Sequence, residues 1–243
     1  MSSLPKSAPT PRVSATVLLL RDDPFEVLMV SRAARGAFAS ALVFPGGAID
    51  PEDSEPGWRE VIEDFDDVAD EERPLRVGAI RELWEETGIL LGGAQAPARN
   101  GRPLRSALES ATPRIRLDSL TRFARWITPA TEPRRFDTHF YLALAPAGQV
   151  AVPDGSETLV AEWMAPTRAV ELAQSGERPI IFPTMMNLAL LAESASGSEA
   201  VAAARVRPHV TVQPEVSTDE DGRPRISIPR EAGYPVARPG DLR

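Results

Sequence analysis

The chain has 243 residues, 42% of them apolar, and a formal charge of −8. That length and apolar content suit one large domain with a sizeable core, and the negative charge argues against non-specific nucleic-acid binding. Cysteine is absent, which excludes disulfides, thiolate chemistry and cysteine-held zinc, and only two histidines, His139 and His209, are present. Any metal chemistry must therefore lean on oxygen donors, which suit magnesium, manganese or calcium. The sequence shows no secretory leader and no run long enough to span a bilayer, so a cytoplasmic protein without a membrane partner is expected.

Taken in order, residues 1–12 are rich in Ser and Pro and read as a disordered leader. "VSATVLLL" (13–20) is a short apolar run closed by "RDDP", the profile of a buried strand, and "FEVLMVSR" (25–32) reads as its hairpin partner. "ALVFPGGAI" (41–49) is a further strand broken by Pro45 and the Gly46–Gly47 pair. Residues 50–72 then hold twelve Asp or Glu against the single Arg59, a block that reads first as a solvated surface. A helix follows, best defined over 75–88, with Val77, Ile80, Leu83 and Trp84 on one side and Gly88 as its stop.

Beyond that helix, residues 99–135 hold nine arginines against Glu109, Asp118 and Glu132. Arginine's planar fork suits phosphate, but Lys6 is the chain's only lysine, so base composition accounts equally well for the bias. "RFARWITP" (122–129), "RFDTHFYLALA" (135–145) and "ETLVAEWMAP" (157–166) read as strands; "TRAVELAQSG" (167–176) and "FPTMMNLALLAES" (182–194) read as helices, the second as the last. The tail reads as a small hairpin around "STDEDG". Strands with intervening helices predict a mixed α/β (α+β) layered domain over 13–195, with a C-terminal extension over 196–243.

The stretch "AIRELWEETGILL" (79–91) sets three glutamates, Glu82, Glu85 and Glu86, within five residues of one helix. Like charges at i, i+4 spacing cost about 0.2–0.5 kcal/mol per pair, so a compensating interaction is expected. A hard divalent cation supplies one, replacing mutual repulsion with shared attraction.

The spacing R-E-apolar-x-E-E-x-G-apolar from Arg81 to Ile89 resembles the core of the Nudix box, whose full pattern is G-x5-E-x7-R-E-U-x-E-E-x-G-U with U aliphatic. Gly47, after "VFP", falls where that pattern has its loop glycine. Thirty-three residues separate Gly47 from Arg81 where the pattern has thirteen, so about twenty, within 50–75, are inserted. Asp53 stands six positions after the glycine, but with the insertion its equivalence to the first glutamate stays open. Stretches 43–58, 79–91, 125–143 and 182–188, and more weakly "GYP" at 233–235, are similar to the acyl-coenzyme A diphosphatase branch.

The resemblance implies a Nudix-type mixed sheet sandwiched between helices, with Glu82, Glu85 and Glu86 holding Mg²⁺ or Mn²⁺ alongside a carbonyl from the Gly46–Gly47 loop. It implies that Arg81 orients a box glutamate and that Arg134 and Arg135, with Arg32 after its apolar strand, meet phosphate. Glu157 is the preferred general base, with Glu132 and Glu162 behind it; Glu162 also reads as a strand-edge salt bridge. His139 reads as a satisfied strand residue.

The expected function is hydrolysis of a diphosphate linked to another moiety, with coenzyme A or acyl-coenzyme A favoured, giving 3′,5′-ADP and (acyl-)phosphopantetheine. An ADP-ribose or NADH hydrolase and a non-catalytic ligand-binding module are the alternatives. The expected partner is a small-molecule diphosphate, and a homodimer stays open.

Overall fold

Strand β1 (Arg12–Arg21) is the spine of the computed structural model, which describes residues 8–32, 41–92, 95–109, 114–222 and 224–235. Residues 1–7 of the expected leader lie outside the described residues, and Arg12 already belongs to the strand. One edge of β1 pairs in parallel with β6 (Phe136–Leu144), from Arg12 opposite Phe136 to Leu20 opposite Leu144. Its other edge is shared by two antiparallel partners, β2 (Glu26–Arg32) at Leu20–Arg21 and β4 (Gly46–Ala48) at Ser14–Thr16. With β3 (Leu42–Val43), β5 (Thr121–Ile127), β7 (Thr158–Met164) and β8 (Thr211–Val212) the sheet runs β3-β2-β1-β6-β5-β8, β4 lying on β1 and β7 on β2.

Alternate side chains of β1 enter different cores, as the two-residue period of a strand requires. Ala15, Val17 and Leu19 join Tyr141 and Ala143 beneath helix α1 (Arg73–Thr87); Leu18 and Leu20 join Phe140 and Leu142 beneath α3 (Pro166–Ser175) and α4 (Phe182–Leu191). The expected sandwich of a mixed sheet between helices is therefore present. Among the described residues no helix is long and apolar enough to cross a membrane.

The acidic insertion is built into the α1-side core. Three 3₁₀ turns (Pro51–Ser54, Pro56–Glu60, Phe65–Asp67) bury Trp58, Val61 and Ile62 in that cluster, beside the short α2 (Leu104–Leu108). Ile62 bridges to Ile115, and the buried Asp64 carboxylate accepts the backbone N–H groups of Leu117 and Asp118, both at 2.8 Å. Its acidic residues thus serve in part as backbone caps, which a count of charges does not show.

The tail departs from expectation. A further helix, α5 (Gly197–Val206), follows α4 and packs on β5 and β6, and β8 extends the main sheet in parallel with β5. The sequence carried the helix start: Ser196 Oγ accepts Glu199 N–H at 3.1 Å while Glu199 accepts Ala195 N–H at 2.7 Å, a reciprocal cap of the S-x-x-E type. The expected hairpin forms as β9 (Glu215–Thr218) and β10 (Pro224–Ser227).

After that hairpin the chain returns to the core, where Tyr234 receives the Trp126 indole N–H at 2.8 Å and donates to Asn187 Oδ1 at 2.7 Å. Burial pushes the Tyr234 hydroxyl pKa up to about 12. The "RW", "FPT..NL" and "GYP" stretches, far apart in sequence, thus meet on the face opposite α1. Tyr234→Phe strips the acceptor from Trp126 and the donor from Asn187, so a loss of about 1–3 kcal/mol is expected by urea denaturation. A change of a few tenths would mean the network adds nothing.

Candidate active site

Helix α1 begins with Pro74 in its first turn, where the missing N–H is harmless, and ends at Gly88, whose φ of 76° is left-handed. Val77, Ile80, Leu83 and Trp84 are buried in the α1-side core, as their spacing predicts, and the Trp84 indole donates to Pro97 O at 3.0 Å. The C-terminal carbonyls are covered: Arg99 donates to Glu85 O at 2.8 Å, Val152 N–H to Thr87 O at 2.7 Å and Asp154 N–H to Glu86 O at 3.2 Å. These bonds fix the last turn, and with it Glu85 and Glu86, against the 152–154 loop.

The Gly46–Gly47 strand faces the same turn. Gly46 N–H donates to Glu86 Oε2 at 2.9 Å, and Glu86 is only 3% exposed. The Glu82 carboxylate occupies the place where a Cβ on Gly47 would stand. Gly46 has φ of 154°, and a Cβ there would fall 2.5–2.6 Å from Ala15 and Thr16 atoms. Both glycines are required by close approach, and the approach brings Glu82 and Glu86 against the loop backbone.

Arg81 organises the remaining charge. Its guanidinium grips Asp53 through two bonds of 2.8 Å, and reaches Glu82 at 3.0 Å, Glu85 at 2.9 Å and Ala48 O at 3.1 Å. Asp53 also accepts Asp50 N–H at 2.9 Å, and its side chain is fully buried. Gly78 leaves it room, since a Cβ there would meet Asp53 Oδ2 at 2.9 Å and Ile49 Cδ1 at 2.6 Å. Asp53 is the site residue that spacing alone left open. Burial lowers the Arg81 pKa, but the bonds to Asp53 and the charges of Glu82 and Glu85 outweigh it and raise the value overall. Burial raises the Glu85 pKa and the charges of Asp53 and Asp50 add to this, against the lowering effect of Arg81.

The other expected residues are spread more widely. Glu157 is exposed on a loop whose Asp154 carboxylate accepts the N–H groups of Ser156, Glu157 and Thr158, and Asp154 N–H is the group bound to Glu86 O. Glu157 therefore lies three residues beyond an anchor on the box helix. Arg32 ends β2 opposite Thr158, and its side chain lies outside the described residues. Arg134 is exposed; Arg135 donates to Thr128 O at 3.1 Å and Pro9 O at 2.9 Å, pinning the β5–β6 turn. Glu132 is exposed in that turn, and Glu162 pairs with Arg178 at 2.8 Å.

The NUDIX domain family matches residues 10–183. The chain belongs to the NUDIX family. Relatives of this NUDIX chain include a putative nudix hydrolase 7 from Caenorhabditis elegans, 31% identical over 197 residues, which cover 75% of this chain and 61% of that protein. The acyl-coenzyme A diphosphatase NUDT19 of Homo sapiens is 25% identical over 257 residues, covering 82% of this chain and 66% of that protein. The chain thus spans a little under two thirds of these relatives' length. A crystal structure of a NUDIX hydrolase from Alicyclobacillus acidocaldarius superimposes with a TM-score of 0.70 at 30% identity, covering 79% of this chain and 96% of that one.

The NUDIX site fits a hard divalent cation by its donors. Glu82, Glu85, Glu86 and the loop carbonyls would all offer oxygen donors, and the side-chain-free Gly47 opens the backbone to Glu82. Among the described residues no three acidic or histidine groups converge as a ready-made cage, because Arg81 already draws Glu82 and Glu85 to itself. A cation entering here competes with that guanidinium.

Proposed function

We propose that the chain is a divalent-metal-dependent pyrophosphohydrolase that cleaves the diphosphate of coenzyme A or acyl-coenzyme A into 3′,5′-ADP and (acyl-)phosphopantetheine. The observation that carries it is the placing of Glu82 and Glu86 on the Gly46–Gly47 backbone, with Arg81 and Asp53 behind them. Glu82, Glu85 and Glu86, with the Gly47 carbonyl, would hold Mg²⁺ or Mn²⁺. The cation supplies charge neutralisation for the diphosphate and a more acidic water. Glu157, on the loop anchored to Glu86 O, takes the proton from the attacking water, and Arg32, Arg134 and Arg135 steady the phosphates. Cleavage forms one P–O bond from water and breaks one P–O bridge, so positioning and charge stabilisation suffice. The similarity to the NUDT19 proteins supports the coenzyme A reading.

Purified protein incubated with coenzyme A, an acyl-coenzyme A, ADP-ribose and NADH in Mg²⁺ or Mn²⁺ tests this. Release of phosphopantetheine at a kcat/KM at least tenfold above that for ADP-ribose is expected. Turnover of ADP-ribose with coenzyme A untouched would reject the substrate and keep the reaction.

A further inference from the structure

Arg99 closes the C-terminal end of the box helix. It is partly buried, donates to Glu85 O at 2.8 Å and to Val152 O at 2.6 Å, and packs its guanidinium 3.5 Å from where a Cβ on Gly88 would stand. Val152 N–H in turn donates to Thr87 O, so one side chain ties the last turn of α1 to the loop that bears Asp154 and Glu157. The next two residues, Asn100 and Gly101, are both exposed.

An Asn–Gly pair is ordinary turn chemistry, but it also leaves the side-chain amide open to attack by the following backbone nitrogen, since glycine has no Cβ to obstruct it. Asparagine is a thermolabile residue for this reason. The chain has three Asn–Gly or Asp–Gly pairs: Asn100–Gly101, Asp154–Gly155 and Asp221–Gly222. The structure separates them. Gly155 N–H is held by Thr158 O at 3.0 Å, and the Asp154 carboxylate by the N–H groups of Ser156, Glu157 and Thr158. Gly222 N–H is held by Asp219 O at 3.0 Å. Among the described residues the Asn100 side chain and the Gly101 N–H make no hydrogen bond, and a Cβ on Gly101 would meet nothing within 4 Å. A neutral amide is also a better electrophile than an ionised carboxylate. The chain's other asparagine, Asn187, is fully buried within α4.

We propose that Asn100 is a site of spontaneous deamidation and that its isoaspartyl product releases the Arg99 clamp on the box helix. Gly101 N bonds to Asn100 Cγ and the Cγ–Nδ2 bond breaks; the departing nitrogen takes up the Gly101 amide proton and leaves as ammonia. Water then opens the cyclic imide and restores the Gly101 N–H. Attack at Cγ gives aspartate, and attack at the main-chain carbonyl gives isoaspartate. The net change consumes one water and turns an amide into a carboxylate. Isoaspartate lengthens the main chain by a methylene directly after Arg99 and sets a negative charge one residue from its guanidinium. Both changes draw Arg99 from the carbonyls it caps. The inference goes beyond the diphosphatase reading and stands whatever the site hydrolyses.

The test is full-length protein aged in warm, mildly alkaline buffer. Peptide mapping should find Asn100 converted to isoaspartate and aspartate, with Asp154 and Asp221 unchanged. Hydrogen exchange at the Gly88 and Val152 amides of the aged protein should be about tenfold faster, as loss of a hydrogen bond to a charged group implies. Fresh Arg99→Met should show the same acceleration, and aged Asn100→Gln should keep the rates of fresh protein. An Asn100 that stays intact through ageing overturns the modification site. Conversion of Asn100 with Gly88 and Val152 as protected as before overturns the coupling to the helix, and so does equal acceleration in aged Asn100→Gln.

Discussion

Replacing Asp53 with alanine should destabilise the protein by about 3–5 kcal/mol, the usual consequence of breaking a buried ion pair on one side. The Arg81 side chain is 10% exposed and would lose its two shortest bonds, keeping Glu82 and Glu85 as partial compensation. For a chain of this size that corresponds to a fall in Tm of about 10 °C. Metal affinity should drop about 10–100-fold as well, because Arg81 sets the positions of Glu82 and Glu85. Scanning calorimetry and Mn²⁺ titration read the two effects separately. The decisive control is Asp53→Ala in an Arg81→Met background: if the cost there is as large as in the parent, the pair is not its source.

Glu86→Gln should leave the fold intact and remove turnover. The amide oxygen of glutamine can still accept the Gly46 N–H now donated to Glu86 Oε2, so Tm should stay within about 2 °C of the parent. The lost negative charge lies against the glycine backbone, and diphosphate hydrolysis should fall by about 100-fold or more, beyond what loss of a metal's outer contacts produces. Mn²⁺ binding should weaken in parallel. Unchanged hydrolysis would remove the metal-site reading altogether.

Much of this arrangement was legible in the sequence because it is local. The box helix, its Gly88 stop, its buried apolar side and the loop glycines follow from spacing within short stretches, and the strands follow from short apolar runs bounded by turn residues and rich in β formers. Asp53 was not legible because twenty extra residues separate it from Arg81. Only the three-dimensional path of the 3₁₀ turns brings the two together. The acidic count over 50–72 concealed Asp64, a buried cap for Leu117 and Asp118. Helix α5 was legible in principle, through the S-x-x-E start at Ser196. The pairing of β8 with β5 was not, since two strand residues carry no periodicity.

The NUDIX match ends at residue 183, yet the apolar cluster beneath α3 and α4 also contains Met185, Met186, Leu188, Leu190, Leu191, Ala200, Ala204, Val212 and Ala232. The recognisable module is therefore smaller than the cooperative unit. A fragment cut at the module's boundary would expose Phe123 and Trp126 and leave β5 with bare backbone where β8 now sits, an invitation to intermolecular strand addition and aggregation.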